Sequence, residues 1–190
     1  MTGDRRLGRP RSEESRRAIL TAAMDGLQEH GYAALTIEGI AARAGVGKQT
    51  IYRWWPSKAD VVLDAMLDLA ETRITVPDEG SLPADLSAFL RATFRQRSQR
   101  PVLIGLMAQA LLDPVFAVAF RDRFLFSRRA ALRELLDRAI TRGEIAAGID
   151  PELLIDIVYG VLWYRLLLDH APLDEATGEQ LASLVVRATR

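Results

Sequence analysis

Between Lys48 and Arg53 the chain sets a lysine, a glutamine, a threonine, a tyrosine and an arginine around one apolar residue, Ile51. These types suit a polyanion that carries information. Lysine and arginine pair with phosphate oxygens, the Gln49 amide can bridge two atoms on a base edge, and the Thr50 and Tyr52 hydroxyls serve either. Gly47 has no side chain to hold a phosphate away from the start of the segment. Lys58 stands in the first turn of a predicted helix, where the helix dipole disfavours a cation, and that conflict favours a phosphate partner. Tyr52 can equally brace the helix, and Arg53 can equally be a solvated charge. Catalytic chemistry finds little to use. His30 and His170 are far apart, there is no cysteine, and neither metal-ligand spacing nor a glycine-rich phosphate loop occurs. No enzyme activity, cofactor or metal is expected.

The elements that must hold this set read as a helix-turn-helix. Thr36 is a good N-cap for a helix to about Ala44, Gly45 supplies the turn, and the next helix runs from about Gly47 to Trp54, where Pro56 stops it. Ile40, Ala41, Ala44, Val46 and Ile51 are expected to form a small core against Ile19, Ala23 and Leu27 of a first helix. Ser12 or Ser15 would cap that helix and Gly31 would end it. Ala41, Ala42 and Ala44 permit close helix approach. Trp54 and Trp55 are expected to close the core. Ser57 to Asp60 has the capping-box pattern and opens a fourth helix through about Ile74.

Thr75 to Leu82 reads as a connection. Beyond it, helices are expected from Pro83 to about Gln99, from Pro101 to about Leu111, from Pro114 to about Arg142, from Pro151 to about Leu168, and from near Asp174 onward. The fold class is all-α, with about nine helices. Glu152 to Leu168 is apolar almost all round and needs cover on more than one side. A partner subunit can supply part of it, with Leu181, Leu184, Val185 and Ala188 completing a four-helix bundle; burial inside a monomer is the other reading. Phe89, Phe94, Met107, Phe116, Phe120, Phe124, Tyr159 and Trp163 are candidates to line a cavity. Phe89, Met107, Phe116, Phe120, Tyr159 and Trp163 are the expected effector-binding set, suiting an apolar or aromatic small molecule, with Gln109 and Arg165 as polar anchors.

The chain has 190 residues, 49% of them hydrophobic, and a formal net charge of zero. Its distribution is uneven: residues 1–60 hold ten Arg or Lys against seven acids, a net of +3, so the remainder carries −3. A basic head on an acidic body suits nucleic acid at one end. The longest apolar run, Ile157 to Tyr164, is far shorter than the ~20 residues a bilayer requires, and Met1 to Arg17 lacks the apolar core of a signal peptide. A soluble, cytoplasmic protein without a membrane partner is expected. Arg5 to Arg11 forms a basic arm whose Gly8-Arg9-Pro10 is similar to the centre of an AT-hook, suited to a narrow minor groove; nonspecific phosphate attraction is the alternative.

From about Arg16 to Lys58 the chain resembles the N-terminal domain of the TetR family of transcriptional repressors. Thr36-Ile37, Ala41, Gly45-Val46, Thr50-Ile51-Tyr52 and Pro56-Ser57-Lys58 carry the likeness. The resemblance implies a homodimer on a palindromic DNA operator, released when a small molecule binds the C-terminal domain. It places Thr36 and Ile37 at the start of the supporting helix, Lys48 to Trp54 in the recognition helix, and Lys58 where the family commonly has a phosphate-contacting lysine. Glu38 falls where a DNA-facing basic or polar residue can occur. The expected division is an arm at 1–11, a DNA-binding domain at 12–58 and an effector-binding and dimerisation domain at 59–190. Control by a protein partner instead of a small ligand is the second reading.

Overall fold

A computed structural model describes residues 9–69, 76–95 and 100–189, with the side chains of 9–12 and 69 left aside. The arm up to Gly8, and Ile74, Thr75 and Gln99 as expected element ends, lie outside the described residues. Ten helical segments occur there: α1 (Arg9–Ala34), α2 (Ile37–Ala44), α3 (Lys48–Tyr52), α4 (Lys58–Leu69), α5 (Leu82–Phe94), α6 (Arg100–Leu112), α7 (Pro114–Phe120), α8 (Phe126–Thr141), α9 (Pro151–Leu168) and α10 (Glu175–Ala188). Five residues in a π-helical turn, Arg121–Leu125, join α7 to α8. Taking that stretch as one interrupted helix leaves nine among the described residues, as the capping signals predict. The structure is all-α.

The chain forms two compact units. The first holds α1–α4 together with Gly105–Phe120; the second holds α5, the start of α6 and the chain from Arg121 onward. The expected boundary at residue 58 therefore falls inside the first unit, because α4 packs on α1.

In the first unit Ile19, Leu20, Ala23 and Leu27 of α1 are buried with Ile40 and Ala41 of α2, Ile51 of α3, and Val61, Val62 and Leu63 of α4. Ala44 and Val46 are only half-buried. The helix α1 begins at Arg9, so Ser12 and Ser15 lie within it and do not cap it, and residues 9–11 of the expected arm are helical. Pro10 in the first turn costs nothing there, since its missing N–H has no helical partner to lose. Gly31, at φ 74°, interrupts α1 where a stop was expected. Further along, Gly105 of α6 lies so close to the Tyr32 ring that an added Cβ would sit 2.2 Å from it.

In the second unit α10 packs on α5, and α8 packs on α5 and α9. An ionic clamp around the buried Asp85 fixes the start of α5. Asp85, fully buried, accepts the Glu79 backbone N–H and the Arg142 guanidinium, the latter at 3.0 Å. Glu144 accepts the Leu82 N–H and also holds Arg142, while Arg138 donates to the Pro77 carbonyl. Asp150 caps α9 by accepting the Glu152 N–H at 2.9 Å. Leu154, Ile155, Val158, Tyr159, Leu162 and Leu166 form the inner face of α9. Leu153, Ile157, Tyr164, Leu167 and Leu168 are exposed in the single chain. The α10 stripe divides likewise, with Leu181 and Val185 buried and Leu184 and Ala188 exposed.

Candidate nucleic-acid interface

The helix-turn-helix is set by local hydrogen bonding. The Thr36 hydroxyl accepts the Gly39 N–H at 3.0 Å and caps α2. Gly45, left-handed at φ 66°, ends α2 with its own N–H and that of Val46 returned to the Ala42 and Ala41 carbonyls. Gly47 is the N-cap of α3 and offers no side chain. The helix is short: α3 ends at Tyr52, because the Trp54 and Trp55 N–H groups both fold back on the Ile51 carbonyl at 2.9 Å.

One residue anchors this short helix. Ile51 is fully buried, while Lys48, Gln49, Tyr52 and Arg53 are exposed and Thr50 is half-buried. The expected reading set thus lies on the outside of one turn and a half of helix, with Thr36 exposed at the start of α2. Ile37 is different. Its side chain is 6% exposed and belongs to the core, leaving only its backbone for any contact. The tryptophans separate as well. Trp55 is buried and donates its indole N–H to Asp64 at 2.8 Å, whereas Trp54 does not close the core and is 37% exposed. Trp54 follows the early end of α3 and stays exposed. The capping box at Ser57 and Asp60 forms as expected, with the Ser57 N–H held by Asp60 at 3.0 Å.

Three cations of this region already have partners inside the protein. Lys48 donates to Glu38 at 2.9 Å, and the contact holds the Glu38 carboxyl below the usual carboxylate range and raises Lys48. Arg43 makes a two-pronged pair with Glu29. Lys58 donates to the Tyr32 carbonyl at 2.9 Å and lies 4.4 Å from the centre of the Tyr32 ring; partial burial lowers its pKa. Its place against the dipole is therefore compensated by a carbonyl and a ring face. Arg53 has no ion pair among the described residues. The Glu38, Glu29 and Tyr32 contacts escaped the sequence reading, since none follows from spacing along one helix.

The effector candidates fall in both units. Met107, Phe116 and Phe120 belong to the first, where Phe116 and Phe120 are buried with ring centres 6.0 Å apart. Phe89, Tyr159 and Trp163 belong to the second, with Phe89 and Tyr159 buried and Trp163 half-buried. The two polar anchors have structural partners: Gln109 donates to Asp113, and Arg165 to the Pro172 carbonyl and the Thr177 hydroxyl. No described helix is long and apolar enough to cross a membrane.

Comparison with known proteins bears on this arrangement directly. Residues 19–65 match the family described as bacterial regulatory proteins, tetR family, and residues 76–185 match the tetracyclin repressor-like C-terminal domain. The chain is 40% identical to the uncharacterised HTH-type transcriptional regulator YdeS of Bacillus subtilis, over 95% of this chain and 91% of the relative. It is 32% identical to the DNA-binding transcriptional repressor TetR of Mycobacteroides abscessus, over 87% of this chain and 88% of the relative. Among solved structures, the TetR family transcription regulator SCO0332 superposes with a TM-score of 0.78 at 33% identity, covering 93% of this chain and 99% of that one. The Bacillus subtilis regulator FadR, solved in complex with stearoyl-CoA, shares the fold with a TM-score of 0.64 at 19% identity, covering 92% of this chain and 99% of that one.

Proposed function

Because the chain belongs to the TetR family of helix-turn-helix transcriptional regulators, we propose that it acts in the cytoplasm as a homodimeric repressor that leaves a palindromic operator when a small molecule binds its C-terminal domain. The observation that carries the DNA half is the polar, outward face of α3 set on the buried Ile51. Gln49 and Thr50 read base edges in the major groove, while Lys48, Tyr52, Arg53 and Lys58, with Thr36 and the Gly47 backbone, hold phosphates. The side chain of Ile37 takes no part. The uncovered apolar faces of α9 and α10 support pairing of two copies as a four-helix bundle. Repression is supported by the relative named as a repressor, and release by an effector by a fold neighbour that was solved with an acyl-CoA.

Selection of bound sequences from random duplexes, followed by footprinting, tests the reading. Two symmetric half-sites about one helical turn apart, or slightly more, are expected; a monomer on one asymmetric half-site overturns it. The second reading, control by a protein partner, is favoured by one observation. Leu111, Leu112, Val115 and Val118 are exposed together where α6 meets α7. A protein that leaves the operator only with a bound partner, and never with a small molecule, would establish it.

A further inference from the structure

Many described arginines of the second unit are paired with carboxylates. Arg91, Arg100, Arg129, Arg133, Arg138 and Arg142 each lie within 4.0 Å of a carboxylate oxygen. Arg128 lacks such a partner and is drawn inward. Its guanidinium lies 3.5 Å from the centre of the buried Phe124 ring and is half-buried. It has no carboxylate and no hydrogen-bond acceptor among the described residues. Its backbone is fixed from α9, since the buried Tyr159 hydroxyl donates to the Arg128 carbonyl at 2.8 Å.

A guanidinium carries five N–H donors in a planar fork. Stacking on one ring satisfies none of them, and burial without a counter-charge disfavours the cation; desolvation accordingly lowers the Arg128 pKa. Arginine of this kind is set up for an anion that arrives from outside, and the fork matches a carboxylate in two-pronged fashion. We infer that Arg128 is the anchor for the carboxylate of a small organic acid, whose apolar body lies beside Phe124 and Tyr159 of the second unit. This deepens the effector reading above and rests on it. The apolar molecule expected from the sequence thus gains an acidic head, and Arg165, occupied by Pro172 and Thr177, gives up the role of polar anchor.

The test uses the full chain with its selected operator. Benzoate, phenylacetate, octanoate and dodecanoate are titrated against their primary amides, with thermal shift and operator release as readouts. At least one acid is expected to raise Tm and release DNA, with its amide at least tenfold weaker. Arg128→Met should abolish that preference while leaving the tail affinity. An acid binding wild type and Arg128→Met equally, amides binding as well as acids, or no acid binding at millimolar concentration each overturn the inference. Operator release by an amide alone leaves the effector reading standing, whereas release by no small molecule removes that reading too. One readout needs no ligand. An anchor waiting for an anion predicts that Arg128→Met is as stable as wild type or more so; a Tm lowered by several degrees would make the Phe124 stack purely structural and overturn the inference.

Discussion

Glu38 and Lys48 stand ten residues apart on the two helices of the turn, and each satisfies the other while no DNA is bound. A phosphate must displace Glu38 to claim Lys48, and the carboxylate then faces the same polyanion. Glu38→Gln is therefore expected to raise affinity for operator and random duplex alike by a few-fold at low salt, with the gain shrinking as salt rises. Filter binding across a salt series measures this, and equal affinities at every salt would remove Glu38 from the interface. Gln49→Ala should instead cost about 1–3 kcal/mol of discrimination at one or two operator positions, read by selection with the variant. Lys58 needs a two-part experiment, because its ammonium already serves the Tyr32 carbonyl and ring. Lys58→Ala should lower Tm and also flatten the salt dependence of DNA binding by about one unit per subunit. A lowered Tm with an unchanged slope would confine the lysine to the Tyr32 junction.

At the scale of elements, the caps carry information that sequence displays openly. Thr36, Gly45, Ser57 with Asp60, Asp150 and Asp174 all act within a few residues of themselves, so their patterns predicted helix starts and stops that the structure contains. What a side chain meets across space was not legible. Lys58 finds Tyr32 twenty-six residues away, and nothing in either residue's neighbourhood announces it. The exposure of Trp54 was hidden as well; it follows the end of α3 at Tyr52, a detail of two hydrogen bonds to one carbonyl. Two element-scale tests follow. Gly105→Ala must push the Tyr32 ring aside and is expected to cost about 1–3 kcal/mol, visible as a lower Tm. The Glu144 carboxyl is held below the usual carboxylate range by the Leu82 N–H and then by Arg142. A carboxyl depressed in the folded state contributes stability above its unfolded pKa and loses it as pH falls through the folded value. Stability of the clamp between α5 and α8 should thus hold at neutral pH and fall off in the acid range. Glu144→Gln should flatten that acid limb of the Tm–pH curve; a limb as steep as wild type would mean that other carboxylates govern it.

For the whole molecule, the family and its helical architecture were readable from motifs, and composition sets a basic first third before an acidic remainder. The assignment of faces was only half readable, because a helix apolar on every side does not say which side a second chain takes. The structure separates Leu153, Ile157, Tyr164 and Leu168 from the inner face of α9. Tyr164→Glu together with Leu184→Glu is expected to yield a folded monomer by sedimentation, with operator affinity reduced at least a hundredfold at the same chain concentration. Retention of the dimer would move the interface elsewhere. Under the proposed pairing, that outward face also sets how an operator counts molecules. When the dissociation constant of pairing exceeds the concentration of chains and the operator is far from saturated, occupancy follows the square of chain number, so halving the copies present leaves about a quarter of the bound complexes. Leu153 and its neighbours on α9 would then turn a gradual fall in protein level into an abrupt loss of control at the promoter.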